Sequence, residues 1–354
     1  MKSDNHKLAG LLVKVFLCLA SSTIVILLLF LATKKIQQSS FTRLFPPHVL
    51  LERKTLDLKM NSFYLSGVTD THIFLSNSTA PAFLLSMPYS LSDSMHLKLT
   101  FPDSVKKLPA PYTCSIDSPF IYMVLGEKQS IFRGLFNQGQ LQETKIKGSP
   151  FDSGIPVSQG SLIARIYDSS RKQNVLIKLM IDKSRDNFNV FVPDKQADGI
   201  FSIDGIVTHQ RGNENFVFTY FYQNQFICLD SNLHIRYRAR TIDTNRVAKI
   251  SIASVSYPGK TTTTFSSPPL LVNRTAWSDD KYVYINSGII SKNEKKATYD
   301  NNSVIDVYYL ATGAYKFSFY VPNENGQKPV AFRILHKKMV VLFNHTICTY
   351  RINF

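Results

Sequence analysis

From Ser62 onward one pattern keeps returning: a strand-like run of about 4–8 residues, a short polar turn, then another run. Its clearest instance is Asn215–Thr241, "NFVFTYFYQNQFICLDSNLHIRYRART", three runs rich in aromatic and β-branched residues. "GIFSIDGIVTH", Gly199–His209, adds a fourth run just before it, so the unit spans about 45 residues. The same order recurs over residues 62–101, 111–147, 161–193 and 278–320. The last piece, "PVAFRILHKKMVVLFNHTICTYRINF", holds three runs only. A ring of four-stranded blades repairs such a shortfall by borrowing an N-terminal strand, which leaves no open sheet edge to aggregate. "HVLLERKTLDLKM", His48–Met60, is placed to supply it. Five full units and one shared unit therefore predict an all-β, six-bladed β-propeller over residues 48–354.

Composition agrees. Aromatic residues make up 12% of the chain, with 25 Phe and 17 Tyr, which suits pleated surfaces. Hydrophobic residues at 44% and charged residues at 19% exclude a disordered chain. Within residues 278–320 the spacing predicts a hairpin: Val304 to Leu310, a turn at Ala311-Thr312-Gly313, and Tyr315 to Val321.

Three stretches, "YFYQNQFICLDSNLHIRYRARTID" (Tyr220–Asp243), "VIDVYYLATGAYKFSFYVP" (Val304–Pro322) and "SLIARIYD" (Ser161–Asp168), carry a family likeness. On these the chain resembles bacterial six-bladed β-propellers of the NHL and TolB-like superfamily, across most of residues 48–354. The resemblance implies a fold rather than a function, because many such proteins are exported and have no assigned activity. The chain lacks the regular Gly-rich signature of true NHL repeats, so no NHL-specific function is implied.

The N-terminus has a different character. "VFLCLASSTIVILLLFLAT", Val15–Thr33, is an uncharged run flanked by Lys14, Lys34 and Lys35. At about 1.5 Å per residue it nearly crosses a hydrocarbon core of about 30 Å. It is longer than the apolar core of a cleaved signal peptide, about 7–15 residues, and "FLATKK" is a poor cleavage site. The expected organisation is a cytoplasmic tail at 1–14, a transmembrane signal anchor at 15–33, a stalk at 34–47 and the propeller at 48–354. Too little chain precedes the anchor to fold, so the large domain is expected outside the cytoplasm. That means the inner membrane of a bacterium, with the domain in the periplasm or outside the cell.

Little in the sequence carries catalytic chemistry. Eight His are scattered, at 6, 48, 72, 96, 209, 234, 336 and 345, with no HExxH. No GxSxG, GxGxxG or GxxxxGK[ST] occurs. Cys114, Cys228 and Cys348 lie outside the anchor, an odd number and without a CxxC, so no complete disulfide framework is expected. Cys228, in the strand-like "FICLD", reads as a buried structural thiol. "RGNEN" (Arg211–Asn215), "NENGQ" (Asn323–Gln327) and "DSSRKQ" (Asp168–Gln173) read as turns, and the pair Asp279-Asp280 as the start of a loop.

The net charge is +16, which favours acidic partners. Arg133, Arg165, Arg236, Arg238 and Arg240, with Tyr122 and Tyr237, are the candidate anion- or partner-binding set. "IRYRAR" places Arg236, Arg238 and Arg240 on one strand face. Such a face is a solvated outer edge that blocks edge pairing, or an anion-binding surface. The expected function is a membrane-anchored, exported binding or scaffolding module whose partner is an envelope protein or acidic ligand. Two alternatives stay open: an exported hydrolase or lyase with its site at the channel mouth, and a redox-partner subunit. No cofactor, metal or nucleic-acid partner is expected.

Overall fold

The structure is a computed structural model, and it describes residues 2–33, 40–103, 105, 108, 110–146, 149–158, 160–181, 189–209, 215–257 and 260–354. The chain divides into Met1–Ser39 and Ser40–Phe354.

The first unit is helix α1, Lys2–Thr33. Its apolar side chains between Leu12 and Leu28 are exposed all round, and the hydroxyls of Ser21, Ser22 and Thr23 donate to carbonyls three or four residues earlier. Among the described residues no helix is long and apolar enough to cross a membrane. The side chains described in α1 stop at Leu28, whereas the uncharged run goes on to Thr33. Residues 34–39 of the expected stalk lie outside the described residues.

In the second unit, six four-stranded antiparallel sheets form the blades of a propeller. The first strands of blades 1 to 5 are Phe63–Val68, Thr113–Asp117, Ser153–Ser158, Gly205–Thr208 and Asn273–Ser278, and each blade then runs outward in chain order. Blade 6 has Ala331–Leu335, Lys338–Leu342 and Thr346–Ile352, and Leu50–Asp57 pairs antiparallel with the last of these as its outermost strand. The predicted closure is therefore the observed one. The first strands touch their neighbours around the ring, so they are the inner strands.

The core explains why the strands look apolar on both faces. Among the described residues, buried hydrophobic side chains fall into seven clusters, six of them shared by two adjacent blades. In Gln225–Leu229, Phe226 and Cys228 pack toward blade 5, while Ile227 and Leu229 pack toward blade 3. A strand buried on both faces reads as a continuous apolar run, not an alternating one.

The predicted hairpin of blade 5 is present as Asn302–Tyr309 and Tyr315–Pro322. Its turn glycine, Gly313, has φ +73°, and a Cβ there would come within 2.4 Å of the Ala239 Cβ of blade 4. Only glycine meets both the backbone sign and the close approach.

Three features depart from the sequence reading. The unit boundaries in blades 3 and 5 fall earlier than expected, because the inner strands Ser153–Ser158 and Asn273–Ser278 precede the segments 161–193 and 278–320. Ser, Gly and Pro interrupt the first strand and Asn, Arg and Thr the second, which hides them. Between blades 4 and 5 a separate hairpin, Ile252–Tyr257 with Lys260–Phe265, leaves the ring. A short helix α2, Lys296–Asn301, sits inside blade 5. "NENGQ" and "DSSRKQ" are turns as expected, with Asn325 and Lys172 at positive φ, while 211–214 of "RGNEN" lie outside the described residues.

Residues 40–47 lie against blade 5. Phe41 is buried with Val272 and Ile289, and the Phe45 ring stacks on Tyr320 at 4.4 Å. Arg43 is buried between two carboxylates. Its Nε and Nη2 donate to Asp306 at 2.7 and 3.0 Å, its Nη1 to the Ile289 carbonyl at 2.9 Å and to Glu294. Burial works against its charge, but Asp306 and Glu294 outweigh it and hold the guanidinium above its ordinary pKa.

Candidate functional site

The arginines and tyrosines singled out in the sequence are spread over blades 2 to 4 and do not converge. Arg236, Arg238 and Arg240 do share one exposed face, on the outermost strand of blade 4, Ile235–Arg240. Arg238 pairs with Asp194 at 3.2 Å, and Arg240 donates to the Asn224 amide oxygen at 3.1 Å. Arg165 on blade 3 is held by Asp152 at 2.7 Å and by Asp204. Tyr237 is half-buried and donates to the Leu310 carbonyl across the junction with blade 5. Tyr122 is buried between blades 2 and 3, with its hydroxyl 3.4 Å from the Ser158 carbonyl.

Arg133 is half-buried and lines a cleft of about 390 Å³ on blade 2, lined also by Phe101, Gln138, Gln140 and Gln142. It lies 5.9 Å from the Phe120 ring. Amides, a guanidinium and two aromatic rings make this a polar groove for hydrogen-bonding ligands.

A second arrangement, not foreseen from the sequence, lies where the inner strands of blades 5 and 6 meet. Arg333, on the inner strand of blade 6, stacks its guanidinium 4.5 Å from the Trp277 ring on the inner strand of blade 5. Its Nη1 donates to the Phe332 carbonyl at 2.8 Å, and the Trp277 indole donates to the Ile334 carbonyl at 2.8 Å. Burial without a compensating carboxylate pulls the guanidinium down to about 10.

Toward the start of the same blade 5 strand a bulge sets Arg274 outside the register, between Asn273↔Ser287 and Thr275↔Asn286. Burial raises the pKa of the Tyr299 hydroxyl of α2, and nearby Arg274 pulls it back. Lys328, on the link to blade 6, lies 4.9 Å from the centre of the same ring. Burial and the adjacent Arg274 both lower the Lys328 pKa, against a smaller upward pull from Asp300. Among the described residues, neither Arg274, Lys328 nor Arg333 has an ion-paired carboxylate, whereas Arg43, Arg165 and Arg238 all do.

Nearby chemistry is structural. Lys316, the extra residue of a bulge in blade 5, points into a box of Tyr282, Tyr309, Phe317 and Phe354 and donates to the Tyr282 hydroxyl at 2.6 Å. Asp279 accepts from the Lys281 and Tyr282 amides and the Tyr284 hydroxyl, so it shapes the loop that its position suggested. Cys114, Cys228 and Cys348 are buried free thiols. Among the described residues no group of three metal-ligating side chains converges.

No protein-family model and no curated protein sequence matches the chain. Solved structures do resemble it. A member of the DUF4221 family from Bacteroides vulgatus aligns over 90% of this chain and 99% of its own, with TM-score 0.53 and 12% identity. The β-propeller domain of Cps50 (Swd1) from Myceliophteria thermophila aligns over 85% of this chain and 100% of its own, with TM-score 0.45 and 9% identity. At these identities the likeness is one of fold, and the fold is a β-propeller.

Proposed function

We propose that the protein is a membrane-anchored, exported propeller that works as a binding or scaffolding module for an acidic partner in the cell envelope. One observation carries this reading. On or beside the inner strands of blades 5 and 6 lie two separate sets of cations without ion-paired carboxylates among the described residues, Arg274 with Lys328 and Arg333 on Trp277, in a chain of net charge +16. Half-buried cations left unneutralised are stabilised when an anion arrives, whereas the paired arginines of blades 3 and 4 gain little. A membrane anchor at 15–33 is supported by the uncharged run and by hydroxyls in α1 that satisfy themselves within the helix. Kinship with the NHL and TolB-like propellers rests on the three quoted strand stretches. The inner membrane is the location this reading requires, with residues 40–354 on its outer side.

The test is made on the full chain in its own membrane. Protease added to intact spheroplasts is expected to digest the propeller, and cross-linking is expected to capture one discrete partner whose yield falls several-fold at 0.5 M salt. A protected propeller, or a protein that cross-links to nothing while turning over a substrate, would overturn the reading.

A further inference from the structure

We infer that the inner end of blade 5, bounded by Arg274, Lys328 and Tyr299, is a binding site for an oxyanion group, a carboxylate or a phosphate. This rests on the reading above and gives it a location and a ligand chemistry.

Two cations are set against one aromatic ring. Arg274 lies near the Tyr299 hydroxyl and Lys328 stands 4.9 Å from the ring centre, and Arg274 is close enough to lower the Lys328 pKa. The carboxylates in reach are spoken for. Glu294 holds Arg43 and accepts from the Tyr320 hydroxyl at 3.1 Å, and Asp300 pairs with Lys296. Tyr299 in turn donates to the Gly288 carbonyl at 2.6 Å, which fixes the ring between the two cations. Asp300, shared with Lys296, offsets only part of the repulsion between these like charges, and an anion between them removes the rest.

Independent support comes from the ladder beside them. Asn286 is completely buried, yet its amide nitrogen and oxygen both lack partners, and so does the hydroxyl of Thr275. Thr275 follows Arg274 in the chain and is registered directly against Asn286. Buried polar atoms without partners are costly, and two of these, Asn286 Nδ2 and Thr275 Oγ1, are donors on the strand pair that carries Arg274. An oxyanion held by Arg274 and Lys328 would find further donors on the same strand pair in Asn286 Nδ2 and Thr275 Oγ1. The planar Arg fork suits a carboxylate or phosphate edge, and the Lys adds a point charge. The two sources share this chemistry and differ in charge and oxygen count.

The experiment uses the full chain in detergent, titrated calorimetrically at pH 7.5 with inorganic phosphate and, separately, with succinate. Saturable binding of one of them is expected, with the tighter arm naming the ligand class. Arg274→Gln and Lys328→Gln should each weaken it at least tenfold. Lys54→Gln, on the exposed outer strand of blade 6, should not change it. Lys328 lies on a half-exposed link, so its variant keeps the test valid if Arg274→Gln folds poorly. No saturable binding of either anion, or equal binding by the Lys328→Gln protein, overturns the inference. If Lys328→Gln still captures its cross-linked partner at the native yield, the site is wrong while the module reading stands. If anion binding behaves as expected but no partner is captured, the site stands and the module reading falls.

Discussion

At the scale of single residues, Arg43 shows how far a side chain's role departs from its place in the sequence. In the sequence it is one more positive charge beyond the apolar run. In the fold its side chain is fully buried, as is that of Glu294, while that of Asp306 is 2% exposed. Removing one partner of such a network strands the others as buried charges. Arg43→Ala is therefore expected to lower unfolding free energy by about 3–5 kcal/mol, read as a lower urea midpoint at unchanged slope. Arg43→Lys should recover only part of it, because an ammonium cannot pair both Asp306 oxygens and reach Glu294 together.

Cys114 illustrates the same dependence on surroundings. Burial between blades 1 and 2 pushes its thiol from 9.0 up to about 11, with hydrogen bonds from Ser76 and Ser66 pulling slightly back. In the unfolded chain the thiol loses its proton near its ordinary value, while the folded protein keeps it. The folded state then binds more protons, so stability falls as pH rises from about 9 to 11, by up to about 2–3 kcal/mol. Cys114→Ala should flatten that part of the stability-against-pH curve. An unchanged slope in the variant would show that the thiol contributes nothing there.

At the scale of elements, the closing strand is the one that decides the ring. Leu50–Asp57 pairs with Thr346–Ile352 from Leu50↔Ile352 to Asp57↔Thr346, across almost the whole chain. Without it, blade 6 would end on an unpaired strand. Deleting residues 50–57 is expected to give a protein that aggregates on size-exclusion chromatography, with a synthetic Leu50–Asp57 peptide restoring part of the monomer. A deletion variant that stays monomeric and keeps its melting temperature would show that closure is not what holds the ring. The closing strand was legible because a three-strand unit needs a partner. The inner strands Ser153–Ser158 and Asn273–Ser278 were not, because "SGIPVS" and "NRTAWS" lack the apolar run of strands buried on both faces. The hairpin of Ile252–Phe265 escaped for a related reason: it packs in no blade, so no repeat spacing points to it.

At the scale of the whole molecule, the sequence by itself determined the architecture: six blades, their order, and the strand that closes them. Strand patterns follow from local alternation and turn chemistry, and the number of units follows from counting them. It also determined that Arg236, Arg238 and Arg240 share a face, since side chains alternate along any strand. What only the tertiary structure decided is which cations are neutralised. Arg165 meets Asp204, and Arg43 meets Asp306 and Glu294, over separations of 39, 263 and 251 residues. Arg274, Lys328 and Arg333 form no ion pair among the described residues: Lys328 and Arg333 lie against the Tyr299 and Trp277 rings instead. Charge pairing falls off over a few ångströms in space and takes no account of distance along the chain, so it cannot be read before the ring is closed.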